Sequence, residues 1–295
     1  MEEANHLRPW RKRTLQIIST DVWKKETEVS PLPQVAGHGS WDKSQAILTN
    51  KAGCILKPIQ PPPRGDREVK FYENVNTSED PEVAKFLRFI PSYFGNCTKK
   101  DDKFMMIENL TQGMKKPCIV DVKVGAKTYG PDASQEKREK SDAAYKGTKI
   151  PFGFSVLGMS VYMGDKKEEF KVLNKEFGKQ LTKDNINDFL QIYFDEETQT
   201  EKTGQIIRIF IKKLEDIQKF YSEQRQFHIF GSSLLFVYDA DSLNDPVKDD
   251  LEEAVVLKMI DFAHVFPANG EEDRNYVSGI DGLIKVFKSY LLSRA

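Results

Sequence analysis

The chain has 295 residues, of which 39% are hydrophobic and 30% charged, with a formal net charge of −1. That length holds one two-lobed domain or two small ones with a proper core, and the balance fits a globular enzyme with solvated faces. The longest apolar runs, such as Leu234–Tyr238 and Ala254–Leu257, are strand-sized, far short of the roughly 20 residues that cross a bilayer. No apolar signal core follows Trp10-Arg11-Lys12-Arg13, so secretion is not expected. A near-neutral chain cannot attract a polyanion by global charge, so any such ligand requires basic residues concentrated locally.

Residues 1–31 lack sustained periodicity and are expected to be a flexible tail. Their Arg11-Lys12-Arg13 run is weak as a nuclear-import signal. Ordered structure is expected from Leu32. Ala46-Ile47-Leu48 and Cys54-Ile55-Leu56 flank Asn50–Gly53 and predict a β-hairpin that ends at Lys57. Pro61-Pro62-Pro63 predicts an extended connector. Asp66 is expected to cap a helix running to about Val75. Asp80-Pro81 opens another, with Val83, Phe86, Leu87 and Ile90 as its apolar stripe. Strands are expected at about 93–97, 103–108 and 118–124. The polar, basic stretch from Gly125 to Gly153 reads as a small helical element, and Phe154–Tyr162 as a strand. Glu168–Phe177 reads as a surface excursion, and Thr182 as the cap of a helix containing Ile186, Phe189, Leu190 and Tyr193. Gln205–Gln224 shows apolar residues at steps of three and four over a long helix. Strands at 234–238 and 255–261 bracket an acidic loop, 239–253, and a last helix spans about 276–292. This order predicts an α+β, two-lobed chain: an N-terminal antiparallel sheet lobe (32–110) and a larger C-terminal lobe (111–295) with a small helical insertion at 126–153. A nucleotide cleft belongs between the lobes.

Cys54, Cys97 and Cys118 are far apart, without metal-ligand spacing. They read as small buried hydrophobes in a reducing compartment.

Four groups of residues can carry chemistry. In Pro117–Gly125, Ile119, Val120, Val122 and Val124 make a strand, so Asp121 and Lys123 project from one face, roughly 7 Å apart. They are either a structural ion pair or a base and a cation facing a phosphate. Asp261 ends the apolar run Met259-Ile260. It either caps a turn or holds Mg²⁺ against nucleotide phosphates. Lys57, with Glu68 eleven residues later on the next helix, can form the lysine–glutamate pair that positions nucleotide phosphates. Lys137, Lys140 and Ser141 share a helix face, either simply solvated or gripping several phosphates. A glycine-rich phosphate loop and a His-Arg-Asp catalytic loop are both missing, which excludes an ordinary protein kinase.

Pro117-x-x-x-Asp121-x-Lys123-x-Gly125, Ser232-Ser233-Leu234-Leu235 and Ile260-Asp261-Phe262 resemble, in order, the three hallmark motifs of the inositol polyphosphate kinase family. Asn275-Tyr276-x-x-Gly279-Ile280-Asp281 resembles its C-terminal helix. The resemblance spans about residues 32–293. Gln60-Pro61-Pro62-Pro63-Arg64-Gly65-x-Arg67-Glu68, Met259–Pro267 and the short segment after Gly125 are most similar to the multikinase branch.

The resemblance implies ATP and Mg²⁺ as cofactors and inositol phosphates as substrates, with phosphoinositide headgroups as a further candidate. It implies no nucleic-acid partner, a monomer, and cytoplasmic and nuclear residence. Lys57 would contact the ATP phosphates, held by Glu68; Glu108 and Leu110 would read the adenine. Asp121 would be ribose ligand and general base, and Lys123 would bridge the γ-phosphate and the substrate. Asp261 would bind Mg²⁺ with Ser233, and Arg64, Lys123, Lys137, Lys140 and His264 would grip substrate phosphates. Lys140-Ser141 stands where the human-type multikinase carries two glutamines. Sibling readings are a trisphosphate 3-kinase or a hexakisphosphate kinase; a different class is an inactive inositol-phosphate-binding scaffold.

Overall fold

The hairpin expected around Gly53 is the centre of the first sheet. In a computed structural model, which describes residues 29–31, 47–50, 53–99, 101–164, 169–194, 201–244 and 251–294, β2 (Leu48–Asn50) pairs antiparallel with β3 (Cys54–Pro58), Leu48 opposite Leu56. β4 (Tyr93–Lys99) and β5 (Asp102–Glu108) extend it. β1 (Val29–Pro31), from the expected tail, pairs with β2, giving the order β1-β2-β3-β5-β4. Residues 1–28 lie outside the described residues.

Between β3 and β4 comes helix α1 (Arg64–Thr77). Its start departs from expectation. The three prolines form a turn, with Arg64 N–H and Gly65 N–H both reaching the Pro61 carbonyl. Asp66 lies inside the first turn and Pro63 occupies the cap position. Gly65 is needed there, because a Cβ would lie 2.0 Å from the Gln60 carbonyl oxygen. Asp80 does cap α2 (Pro81–Ala84), accepting from Glu82 N–H. The chain then tightens into a 3₁₀ turn, Lys85–Arg88. The shorter repeat leaves Leu87 38% exposed while Phe86 and Ile90 are buried.

The second sheet has the order β11-β10-β6-β7-β8. Its strands are β6 (Pro117–Val124), β7 (Phe154–Tyr162), β8 (Phe170–Leu173), β10 (Ser233–Asp239) and β11 (Val255–Ile260). β8 lies within the expected surface excursion, and α5 (Lys175–Gln180) follows it. Two helices fill the 126–153 region, α3 (Gln135–Ala143) and α4 (Lys146–Phe152). Asn187, not Thr182, is the cap residue of α6 (Asp188–Tyr193); Thr182 instead donates to the Asn185 side chain in the preceding turns. α7 (Glu201–Glu223) and α9 (Arg274–Leu292) pack on each other and against the sheet. The expected acidic loop holds a short helix, α8 (Asp241–Asn244). A small ribbon, β9 (Phe227–Ile229) with β12 (Val265–Pro267), was not anticipated; three-residue strands carry too little period to read.

Alternation divides the second sheet's work. Val120, Val122, Val124, Leu234, Phe236, Leu257 and Met259 face the main core and are all buried. The opposite face carries Ile119, Asp121 and Lys123 on β6, with Ser233, Leu235 and Val237 paired opposite them on β10. The three cysteines are strand-borne and form no disulfide among the described residues; Cys54 and Cys118 are buried and Cys97 partly so.

Glycine contacts fix where β6 ends. Gly125, at φ +94°, takes a conformation that side chains disfavour, and its N–H bonds the Gly153 carbonyl. The Asn275 amide clamps the next residues through Lys127 N–H and the Lys127 carbonyl. Gly279 of α9 sits against this turn: a Cβ there would be 2.5 Å from the Gly153 carbonyl oxygen and 2.7 Å from Val124 Cγ1. Gly279→Ala is expected to destabilise the protein by about 1–3 kcal/mol through overpacking. Urea unfolding followed by circular dichroism checks this, and a midpoint equal to the parent's would contradict it.

Candidate active site

Lys57, near the end of β3, meets two carboxylates. Its Nζ lies 2.7 Å from Glu68 Oε1 and 2.5 Å from Asp261 Oδ1. Burial would lower the lysine's pKa, but Asp261 and Glu68 outweigh it and hold the ammonium well above the usual range. Glu68 is 1% exposed, and the same Oε1 accepts the Phe262 N–H at 3.1 Å. One acid therefore ties β3, α1 and the end of β11 together. The stacked rings of Phe71 and Phe262, with centroids 4.3 Å apart, reinforce the joint.

Asp261 sits at φ +67°, a left-handed conformation that aspartate tolerates better than most residues. This turn ends β11 and leaves the side chain 44% exposed. Burial pushes the Asp261 pKa up, but the Lys57 ammonium more than reverses that and holds it below the usual carboxylate range.

Asp121 and Lys123 share one face of the sheet, as the strand period requires, with Ser233 of β10 opposite Lys123. Ser233 lies between β6 and β11, pairing with Lys123 on one side and Ile260 on the other. Asp261 is therefore about two strand spacings from the Asp121/Lys123 row, roughly 10 Å. The residue sets interact: Asp261 raises the Asp121 pKa, and Lys123 lowers that of Asp261. Burial, followed by Asp261, pushes the Asp121 carboxyl up to about 7, against the opposing effects of Ser233, Lys123 and Lys57. Asp121 Oδ1 and Ser233 Oγ are buried without a well-formed hydrogen bond, although Ser233 is near enough to act on the carboxyl. A β-bulge opposite Asp121, where Asp121 pairs with Gly158 and Val122 with Val156, adjusts the strand at this point.

Beyond Asp121, the face becomes apolar. Leu110, Val237 and Val256 form a small cluster with Met114, Ile119 and Leu235. Glu108 ends β5 beside it, but its side chain is buried and its Oε2 accepts from Ser92 N–H and Oγ. Any ligand contact at Glu108 must therefore be through its backbone.

At the other end lies a cationic cluster. Lys137 Nζ approaches His264 Nε2 at 3.3 Å. Burial, then Lys137 and Arg64, push the His264 pKa down to about 4. Burial, then Arg64, also lowers that of Lys137, with Lys123 contributing. Arg64, Lys123, Lys137 and His264 thus come together. Lys140 is exposed on the same helix. The Ser141 hydroxyl is engaged with Thr128 Oγ1 at 2.5 Å.

A model of the family described as inositol polyphosphate kinase matches residues 104–288. The chain belongs to the inositol polyphosphate kinase family. Its relatives in that family include the human inositol polyphosphate multikinase, 34% identical over 258 residues, which cover 81% of this chain and 61% of that protein. Arabidopsis thaliana inositol polyphosphate multikinase alpha is 29% identical over 279 residues, covering 89% of this chain and 96% of that one. The chain spans between 53% and 64% of the length of the human, rat and mouse multikinases it matches. The crystal structure of the S. cerevisiae inositol phosphate multikinase Ipk2, in complex with ADP and Mn²⁺, superposes with a TM-score of 0.66 at 26% identity. It covers 81% of this chain and 99% of that one, and the kinase-like α+β fold expected from the sequence is the fold of this family member.

Sequence reasoning gave no role to Arg67 or Asp132, which form an ion pair at 2.7 Å. Lys149 also went unnoticed; it is 4% exposed, and its ammonium donates to the Ser141 carbonyl. Periodicity cannot reveal a partner 65 residues away or a lysine that burial leaves attached to a backbone carbonyl.

The Asp121 shift has a testable sign. Its folded pKa of about 7 exceeds the ordinary 3.8, so this group's contribution to stability falls as pH rises from about 4 to 7. Asp121→Asn removes that loss. The variant is expected to gain on the parent by about 1.4 kcal/mol per pH unit across that window, measured as unfolding free energies at pH 5 and pH 8. A pH-independent difference would refute the shift.

Proposed function

We propose that this chain transfers the γ-phosphoryl group of ATP to ring hydroxyls of inositol polyphosphates, raising the trisphosphate to tetrakis- and pentakisphosphates. The supporting observation is one continuous arrangement. An apolar cluster, the acids Asp121 and Asp261, the lysines Lys57 and Lys123, and the cationic group of Arg64, Lys137 and His264 follow one another, as a nucleotide and a polyphosphate laid end to end require.

The apolar cluster around Leu110, Val237 and Ile119 accepts the adenine, with the backbone from Glu108 to Leu110 reading its edge. Of the three donors of Lys57, two meet carboxylates, leaving one for a nucleotide phosphate. Asp261 and Ser233 offer oxygens suited to a hard divalent cation. When bound, Mg²⁺ neutralises charge on the β- and γ-phosphates. The buried Ser233 Oγ, which has no well-formed hydrogen bond among the described residues, fits that demand. Among the described residues, no group of three or more His, Cys, Asp or Glu could hold a metal ion, so the remaining ligands come from phosphates and water.

Arg64, Lys137 and His264 grip the phosphates of the acceptor. Lys123 lies between the two sites and holds the transferring group. Asp121, raised to about 7, is suited to take the proton of the attacking hydroxyl. The work is positioning and charge neutralisation rather than covalent catalysis.

Incubation with Mg·ATP and inositol trisphosphate, and separately with the hexakisphosphate, followed by chromatography, tests the reading. Tetrakis- and pentakisphosphate products are expected from the first. No ATP consumption with either substrate would end the proposal. Lys123→Ala is expected to cost roughly 10²–10³-fold in kcat, as loss of one charge-stabilising donor does; a variant with near-parental turnover would remove Lys123 from the reaction. Asp261→Asn is expected to abolish Mg²⁺-dependent turnover, checked by titrating the metal against rate, and an unchanged metal dependence would contradict the assignment.

A further inference from the structure

Residues 126–134, which precede α3, are fastened to α1 by a clasp outside the proposed chemistry. Arg67 Nη2 pairs with Asp132 Oδ2 at 2.7 Å, and the guanidinium carbon lies 4.7 Å from the centre of the Phe266 ring in β12. Arg67 Nη1 is buried with no hydrogen-bond partner among the described residues, so on that side the guanidinium relies on the ring contact. Gly130 lets the loop close over the same ring: a Cβ there would sit 2.3 Å from Phe266 Cε2. The pairing holds the Asp132 pKa below its usual range.

Both ends of the clasp lead to a ligand site. Arg67 precedes Glu68, which holds Lys57 and the Phe262 N–H. Asp132 belongs to a loop stiffened onto α3, because Arg138 donates to the Pro131 and Ala133 carbonyls at 2.7 and 2.9 Å. One turn of α3 away from that loop, Lys137 meets His264. Short, directed contacts thus link α1 to the helix that carries Lys137.

We infer that Arg67 and Asp132 are positioning residues that couple the nucleotide site to the inositol-phosphate site, so that occupation of either tightens binding at the other. The inference rests on the proposed function for the identity of the two ligands. The pair is partly exposed, with 27% and 42% of the two side chains accessible. Such pairs contribute little to folding, so its value lies in what it connects. Coupling between two sites is reciprocal, which gives it a signature that a merely structural role does not produce.

Isothermal titration of the full chain with Mg·ADP, with and without inositol trisphosphate, and the converse titration, measure it. In the parent protein both dissociation constants are expected to fall by the same factor, about fivefold or more. Arg67→Met and Asp132→Asn are each expected to reduce that factor below about twofold, with Mg·ADP affinity in the absence of trisphosphate kept within about twofold of the parent's. The exchange Arg67→Asp with Asp132→Arg is expected to restore part of the coupling. Thermal melts establish that each variant is folded. Absence of coupling in the parent, or full coupling in both single variants, would overturn the inference while leaving the functional reading intact. Failure of the parent to bind either ligand would overturn both.

Discussion

The buried carboxylate of Glu68 is the interaction on which the rest depends. It satisfies a lysine from the first sheet and a backbone N–H from the end of the second sheet, and it belongs to the helix between them. Removing one partner from such a buried pair costs about 3–5 kcal/mol, because the other charge is left unanswered. Three elements from distant parts of the chain therefore hold one relative position. The bond from Met259 N–H to the Phe89 carbonyl and the Phe71–Phe262 stack act in the same place. Lys57 and Asp261 are held beside each other as a consequence, although they are 204 residues apart in sequence.

The second sheet turns the strand period into a division between packing and chemistry. Val120, Val122 and Val124 enter the core, and the residues between them are left for the cleft. The glycines of α9 support the same strand from behind: Gly279 and Gly282 let a helix approach the backbone at Gly153 and Phe152 closely. Motifs far apart in sequence thus share one purpose. Gly125 ends the strand, Asn275 holds the turn, and Lys123 is delivered two residues earlier at a fixed point.

Much of this was legible in the amino-acid sequence. Long amphipathic helices and the strands around Val122 and Phe236 announced themselves, because core burial imposes a period. Asp121 and Lys123 were readable as a pair for the same reason, and Asp261 because an acid ended an apolar run. The failures have physical causes. Asp66 has the chemistry of a cap, yet the Pro61 turn starts the helix three residues sooner. Leu87 fits an α-helical stripe, but a 3₁₀ turn rotates it outward. The helix pattern around Lys137 could not show that His264 and Arg64 arrive beside it from other elements. The Arg67–Asp132 pair could not be read, since the motif that holds Arg67 says nothing of Asp132 and the pairing is tertiary.

The left-handed turn at Asp261 has an evolutionary side. Few residues accept that backbone conformation, and asparagine, like aspartate, is among them. The two differ by one base in their codons and hardly at all in shape. A change between the two can therefore remove the carboxylate charge that answers Lys57 while the backbone turn is kept.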